Sequence, residues 1–192
     1  ALMRATAVVE SPGSRERALA IAIDPREFHR GAAWVWLPEG LAAADRKDFA
    51  AAETAGARIA GLLLQPREAD ESPNHDAYLE IMAQMVGGLA AFRRGETDAG
   101  LADVQRAATR YAAMAFDFGP PVPVKPPQEL AGELLLEAGR AAEARAYFER
   151  SLRLAPRRVQ SLLGLARSAA AAGSPSAAAA RPTGRSRRWH SR

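Results

Sequence analysis

The chain has 192 residues, enough for one domain or a short repeat array with a real core. It contains no cysteine, which excludes disulfides and thiolate metal sites, and no run of about 18 uncharged apolar residues that would predict a membrane-spanning helix. The net charge of +4 is unevenly spread. All 22 acidic residues precede residue 181, while five of the 26 basic residues fall in 181–192, so the body is nearly neutral and only the end is basic. Nucleic-acid binding would need basic residues gathered on one folded face, and nucleic acid is not an expected partner.

Apolar content is ordinary and much of it is alanine, which favours closely packed helices. Only Lys47 and Lys125 are lysine, and the Ala/Arg bias points to GC-rich coding sequence. No charged-then-apolar leader opens the chain, so a cytoplasmic location is expected, or a periplasmic one if a leader has been removed.

Residues 1–13 read as irregular, ending in the turn-like "SPG", and Ser14 is placed to cap the short helix "RERALAIAI" before Asp24-Pro25. The alternation Trp34-Val35-Trp36 reads as an extended stretch or a short helix end. From Gly40 the pattern is helical, with a break near Arg46-Lys47. After the loop "QPREADESPNHD", Asn74 or Asp76 is placed to cap a long helix that Gly95 ends. A second helix follows from Glu96, then the Pro-rich connector "DFGPPVPVKPPQ", then three more helical segments. With almost no strand signal, the fold is predicted to be all-α. The expected units are an N-terminal segment (1–37), a helical-repeat domain (38–180) and a separate end (181–192).

The last helices repeat. Gly139 and Gly173 lie 34 residues apart, as do Ala144 and Ala178, and Gly95 precedes Gly139 by the same unit plus a ten-residue insertion. Gly132, Leu135, Gly139, Ala144, Phe148, Ser151 and Pro156 fit a pattern of small and large residues at this period. Small residues let two helices approach, a large one fills the gap between repeats, and proline ends the second helix.

In this pattern the chain resembles the tetratricopeptide repeat family. The likeness covers 125–158, continues into the incomplete 159–180, and loosens over 81–114, where Gly100 and Val104 stand at the small and aromatic positions. The connector and the helix after it are similar to segments of bacterial proteins of this class. The resemblance implies a right-handed superhelix of antiparallel helix pairs and a concave groove, lined by the first helix of each pair, that receives a protein or peptide.

On that frame, Glu129, Glu133 and Glu137 form one acidic stripe on a first helix. It is either a seat for a basic peptide or a solvated face paired with arginines such as Arg140 or Arg167. The matching face upstream carries Met82, Met85, Leu89 and Phe92, either a partner surface or core covered by an N-terminal helix. Trp34 and Trp36, with Tyr78, mark the first candidate for a small-molecule pocket, and Phe28 adds to that aromatic stretch. No metal site is expected, because His75, Asp76 and Glu80 lack a ligand motif and suit capping and surface roles. No Walker loop, dinucleotide glycine pattern or G-x-S-x-G occurs, so neither a cofactor nor catalysis is expected.

The end "RPTGRSRRWHSR" breaks the repeat register, with Pro182 where a helix should continue. It reads as an out-of-frame end or a disordered basic tail. Either leaves the last helix pair incomplete, with an apolar end around Leu162 and Leu165 that could join two copies.

Overall fold

A computed structural model describes residues 1–69, 71–115 and 122–173. The expectations for 181–192 and for the helix after Gly173 therefore lie outside the described residues. Among the described residues there are nine α-helices and no strand: α1 (Leu2–Glu10), α2 (Arg15–Leu19), α3 (Ala33–Asp45), α4 (Phe49–Gly61), α5 (His75–Arg94), α6 (Thr97–Ala113), α7 (Pro127–Glu137), α8 (Ala141–Leu154) and α9 (Val159–Gly173). The chain is all-α. None of these helices is long and apolar enough to cross a membrane.

Two local expectations change. The first residues are helical, because Ala5 and Val8 lie on one face of α1 and are buried against the following helices. Trp34 and Trp36 sit in the first turns of α3, after a 3-10 turn (Pro25–Ala32) that Asp24 caps by accepting from the Arg26 amide. The alternation looked extended because Val35 and Leu37 are buried while the tryptophans are only partly so.

One turn geometry recurs three times. The break at Arg46-Lys47 is real: Lys47 has φ 62°, the Asp48 amide donates to the Ala43 carbonyl at 2.9 Å, and the Asp48 side chain caps α4 through the Ala51 amide. Gly95 (φ 101°) and Gly139 (φ 75°) take the same left-handed place after α5 and α7. There Glu96 donates to Ala91 at 3.0 Å and Arg140 to Leu135 at 2.8 Å. Glycine relieves the Cβ clash at two of these turns, and a lysine bears it at the third.

The three turns make helix pairs α3/α4, α5/α6 and α7/α8. Helices α3, α5, α7 and α9 pack in succession to form an inner layer. Helices α4, α6 and α8 each pack between two of them. Close approach depends on small residues. Phe148, fully buried on α8, lies between Gly132 of α7 and Gly164 of α9, where a Cβ would come within 2.8 and 2.3 Å of its ring. Because successive helices are antiparallel, the turns at Lys47, Gly95 and Gly139 fall at the opposite helix ends from the connectors between pairs.

Helices α1 and α2 lie on the free face of the inner layer. Arg4 binds Glu39 of α3 at 2.8 Å and ties α1 to α2 through the Ala18 and Leu19 carbonyls. At the other end of α1, Glu10 pairs with Arg158, and its carbonyl accepts from Gln160 of α9 at 3.0 Å. The N-terminal segment thus spans the inner layer from its first helix to its last.

Candidate functional site

Apart from Trp36, the sequence-predicted residues fall into two places. The acidic stripe of α7 faces the inner layer's free surface, and cations of the same chain meet all three acids. Glu129 is fully buried. It accepts two hydrogen bonds from the Arg158 guanidinium (2.7 and 2.8 Å) and one from the Ser161 hydroxyl (2.6 Å), with Lys125 Nζ at 3.2 Å. Burial pushes the Glu129 carboxyl up, but the Arg158 hydrogen bonds, with Lys125 beside them, outweigh it and hold it below the ordinary value.

Glu133 pairs with Lys125, which is itself buried. Burial pulls the lysine down, and the two carboxylates Glu133 and Glu129 more than restore it, so its ammonium is held above its ordinary value. Glu137 pairs with Arg93, which also holds Asp45 at 3.0 Å. The sequence pointed to Arg140 or Arg167 for this service. Arg140 instead clamps Glu143 of its own helix at 2.7 Å.

Met82, Met85 and Leu89 are buried in the core, and Phe92 is half-buried beside them. Val8 and Val9 of α1 line a small cavity of about 70 Å³ together with Leu89, Leu130 and Glu133. The N-terminal helix reaches this face at Leu89, whereas Met82 borders a second, larger cavity.

The second place is a cleft of about 900 Å³ at the connector edge. It opens between the N-terminal turns of α3 and α5, the C-terminal turns of α6 and α8, and the segments that lead into α7 and α9. Trp34, Tyr78, Met82, Tyr111, Met114 and Leu154 form much of its wall. The Tyr78 and Tyr111 rings lie 6.4 Å apart, tilted by 49°. Burial, helped by Tyr78 and opposed by Arg158, pushes the Tyr111 phenol up, so it is neutral at neutral pH.

Trp34 and Tyr78 thus meet in one cavity, as a pocket requires. Trp36 does not: it lies outside the cleft, under the Arg58 guanidinium, 5.9 Å from the ring centroid.

The polar groups of the cleft are few. His75 opens α5, and its Nε2 is buried there with no hydrogen-bond partner among the described residues. Arg157 and Arg158 stand at the wall from the α8–α9 side. Arg158 is committed to Glu129 and Glu10, whereas Arg157 is exposed and pairs with no acid among the described residues. No carboxylate lines the cleft among the described residues. The neighbouring Asp76 is turned to Arg30 and Arg67, and the Arg30 hydrogen bond holds its carboxyl below the ordinary value.

Sequence reasoning did not single out Tyr111, Met114 or Arg157. Tyr111 and Met114 end an amphipathic helix like any other, and the Arg157-Arg158 doublet after Pro156 was the one available signal.

Asp76 is paired with Arg30 and Glu80 with Arg110. Elsewhere, ligand atoms of His29, Glu68 and Glu71 lie within 4.8 Å of one another. Glu71 is bound to the buried Arg30 at 2.7 Å and His29 lies against Glu68 at 3.4 Å, so all three are engaged within the chain.

Comparison with known protein families, characterised proteins and solved structures finds no match to this chain.

Proposed function

We propose that this protein is a non-enzymatic binding module on a tetratricopeptide-repeat-like superhelix, and that its open binding site is the edge cleft. The scaffold reading rests on three helix pairs closed by one turn geometry, on the inner layer of α3, α5, α7 and α9, and on Phe148 between two glycines. The concave surface of such an array would be the face on which α1 and α2 lie. That surface is filled in cis, and its glutamates are neutralised in cis, so a basic peptide finds no vacant seat there.

The observation that carries the binding reading is the cleft itself. About 900 Å³ of mainly apolar wall with a few converging polar groups is the form of a small-ligand pocket. Binding without chemistry fits its contents. Ser151, a hydroxyl in the wall, is hydrogen-bonded to Ser161 at 2.8 Å, and among the described residues no hydroxyl meets His75 Nε2.

The test uses a neutral apolar fluorophore, phenylnaphthylamine. It should brighten with one site per chain, and Met114→Glu combined with Leu154→Glu should abolish the signal. Leu154 is 56% exposed, so its change does not touch the core. Absence of a signal in the wild type, or an unchanged signal in the double variant, would sink the reading.

A protein partner is the second reading. It is favoured by Val159, Leu162 and Leu163 on α9, which are 70, 48 and 42% exposed among the described residues. An array end of this kind can meet a partner or a second copy. Sedimentation of the wild type against Leu162→Lys/Leu163→Lys tests it; a monomer in both leaves no self-association to explain.

A further inference from the structure

We infer that the edge cleft selects an apolar small molecule bearing a single anionic group, with the anion at Arg157 and the apolar body between Trp34, Tyr78, Tyr111 and Met114. This deepens the binding-module reading and rests on it.

The charge inventory is one-sided. The cleft wall holds two arginines and a histidine and no carboxylate among the described residues, although the chain as a whole is nearly balanced in charge before its last dozen residues. Elsewhere on the array acids and bases meet: Arg93 with Asp45 and Glu137, Arg158 with Glu10 and Glu129, Lys125 with Glu129 and Glu133. Arg157 stands next to Arg158, which holds two acids, and has no acid of its own among the described residues. The ion pair it lacks is the one a ligand can supply.

His75 adds a second point. A buried imidazole nitrogen without a hydrogen bond is costly, and native proteins leave few such atoms without reason. Here the residue lines the cleft, and a turn of the ring would present the atom to a ligand's polar group. A neutral hydrocarbon would leave both groups unmet. A cation would be set against Arg157 and Arg158 with no acid in the wall among the described residues to receive it.

The apolar part follows from the remaining wall. Trp34, Met82, Met114, Val122 and Leu154 offer hydrocarbon and sulfur surface, and the tilted Tyr78 and Tyr111 rings offer an aromatic face. The chemistry is that of a medium-chain or aryl carboxylate. The C-terminal carboxylate of an apolar peptide shares this chemistry, but it brings a string of backbone amides into a mainly apolar cavity with few partners for them. The free acid is therefore the assigned occupant.

The experiment titrates the full chain calorimetrically with three ten-carbon probes: decanoate, decanol and decylammonium. Decanoate should bind about tenfold more tightly than decanol, and decylammonium more weakly than both. Arg157→Gln, on an exposed side chain, should remove that tenfold preference and leave decanol unchanged. His75→Phe should weaken decanoate about threefold.

Equal binding of decanoate and decanol in the wild type overturns the inference, as does a preference that survives Arg157→Gln. Either result leaves the site reading intact, provided phenylnaphthylamine still binds. If phenylnaphthylamine fails as well, the site reading has failed with it. A free-acid Leu-Ala pentapeptide is the last arm. Binding ten times tighter than decanoate, and lost on amidation, would overturn the small-molecule assignment in favour of a peptide end.

Discussion

The inner face of the array and the cleft at its edge draw on the same helices and treat charge in opposite ways. On the inner face, every glutamate of the α7 stripe meets a cation, and the most deeply buried, Glu129, meets two cations and a hydroxyl. At the edge, four positions along α5 contribute to a wall where a buried imidazole nitrogen and an arginine have no partner among the described residues. Saturated polar groups hold a structure together, and unsaturated ones are available to something else. The difference predicts where substitutions will cost stability and where they will cost binding.

The largest effect is expected at Glu129. Removing it as Glu129→Ala leaves Arg158 and Lys125 short of a buried counter-charge, at a cost of about 3–5 kcal/mol in urea denaturation. A loss below about 1 kcal/mol would mean that the network is not closed as described. The same carboxyl gives a pH signature. Its folded value lies below its unfolded value of about 4.3, so its stabilisation is fully present above that pH. It is lost as the pH falls through the depressed folded value. Stability in urea, followed by circular dichroism, should therefore fall as the pH is lowered below about 4.3, and Glu129→Gln should flatten this part of the profile.

The next effect tests the packing that joins the last pair to α9. In Gly164→Ala the new methyl would lie 2.3 Å from Phe148, and Gly132 on the ring's other side leaves it no room to retreat without moving α7. Overpacking of this kind costs about 1–3 kcal/mol. A neutral outcome in thermal melting would show that α9 is loosely attached.

How much of this could be read in the sequence depends on the range of the interaction. The all-α class, the break at Arg46-Lys47 and the turns at Gly95 and Gly139 were legible, because they depend on residues a few positions apart. The repeat marked Gly132 as a small residue for close helix approach and Phe148 as a filler between repeats, but not that the two meet. The stripe of Glu129, Glu133 and Glu137 was legible as one face of a helix, but its fate was not. The cation that closes on Glu129 lies 29 residues downstream, and Glu10, the other acid on that cation, is 148 residues from it. Helix α1 was missed because nine residues with an alanine-rich face form a stable helix only against a neighbour. Trp34 and Tyr78, paired in the sequence reading, line one cleft, yet the same reasoning included Trp36. Two positions along α3 turn a side chain by more than half of a helical turn, and only the packing of α3 decides which tryptophan enters the cleft.

A smaller effect, of the opposite sign, belongs to the cleft. His75→Phe removes the buried nitrogen that lacks a partner and keeps a ring of similar shape. It should leave stability unchanged or raise it by up to about 1 kcal/mol, measured in the same urea titration without ligand. A loss above that amount would show that the imidazole has a structural partner, and the cleft would then resemble the inner face.

The smallest effect tests the comparison from inside the stripe. Glu137 lies two helical turns from Glu129 on the same face of α7, but its side chain is 47% exposed, against 0% for Glu129. Its bond to Arg93 is made at the surface, where water screens the pair, and Arg93 keeps Asp45 when Glu137 is lost. Glu137→Ala should therefore cost about 0.5 kcal/mol or less. A double-mutant cycle with Arg93→Ala should give a coupling energy of the same size that shrinks as salt is added. If Glu137 instead proves as costly as Glu129, exposure is not what separates the two, and the stripe acts as one cooperative network. A tenfold range of cost along one helix face would show that an acidic stripe is defined less by its spacing than by how deeply each member is buried with its partner.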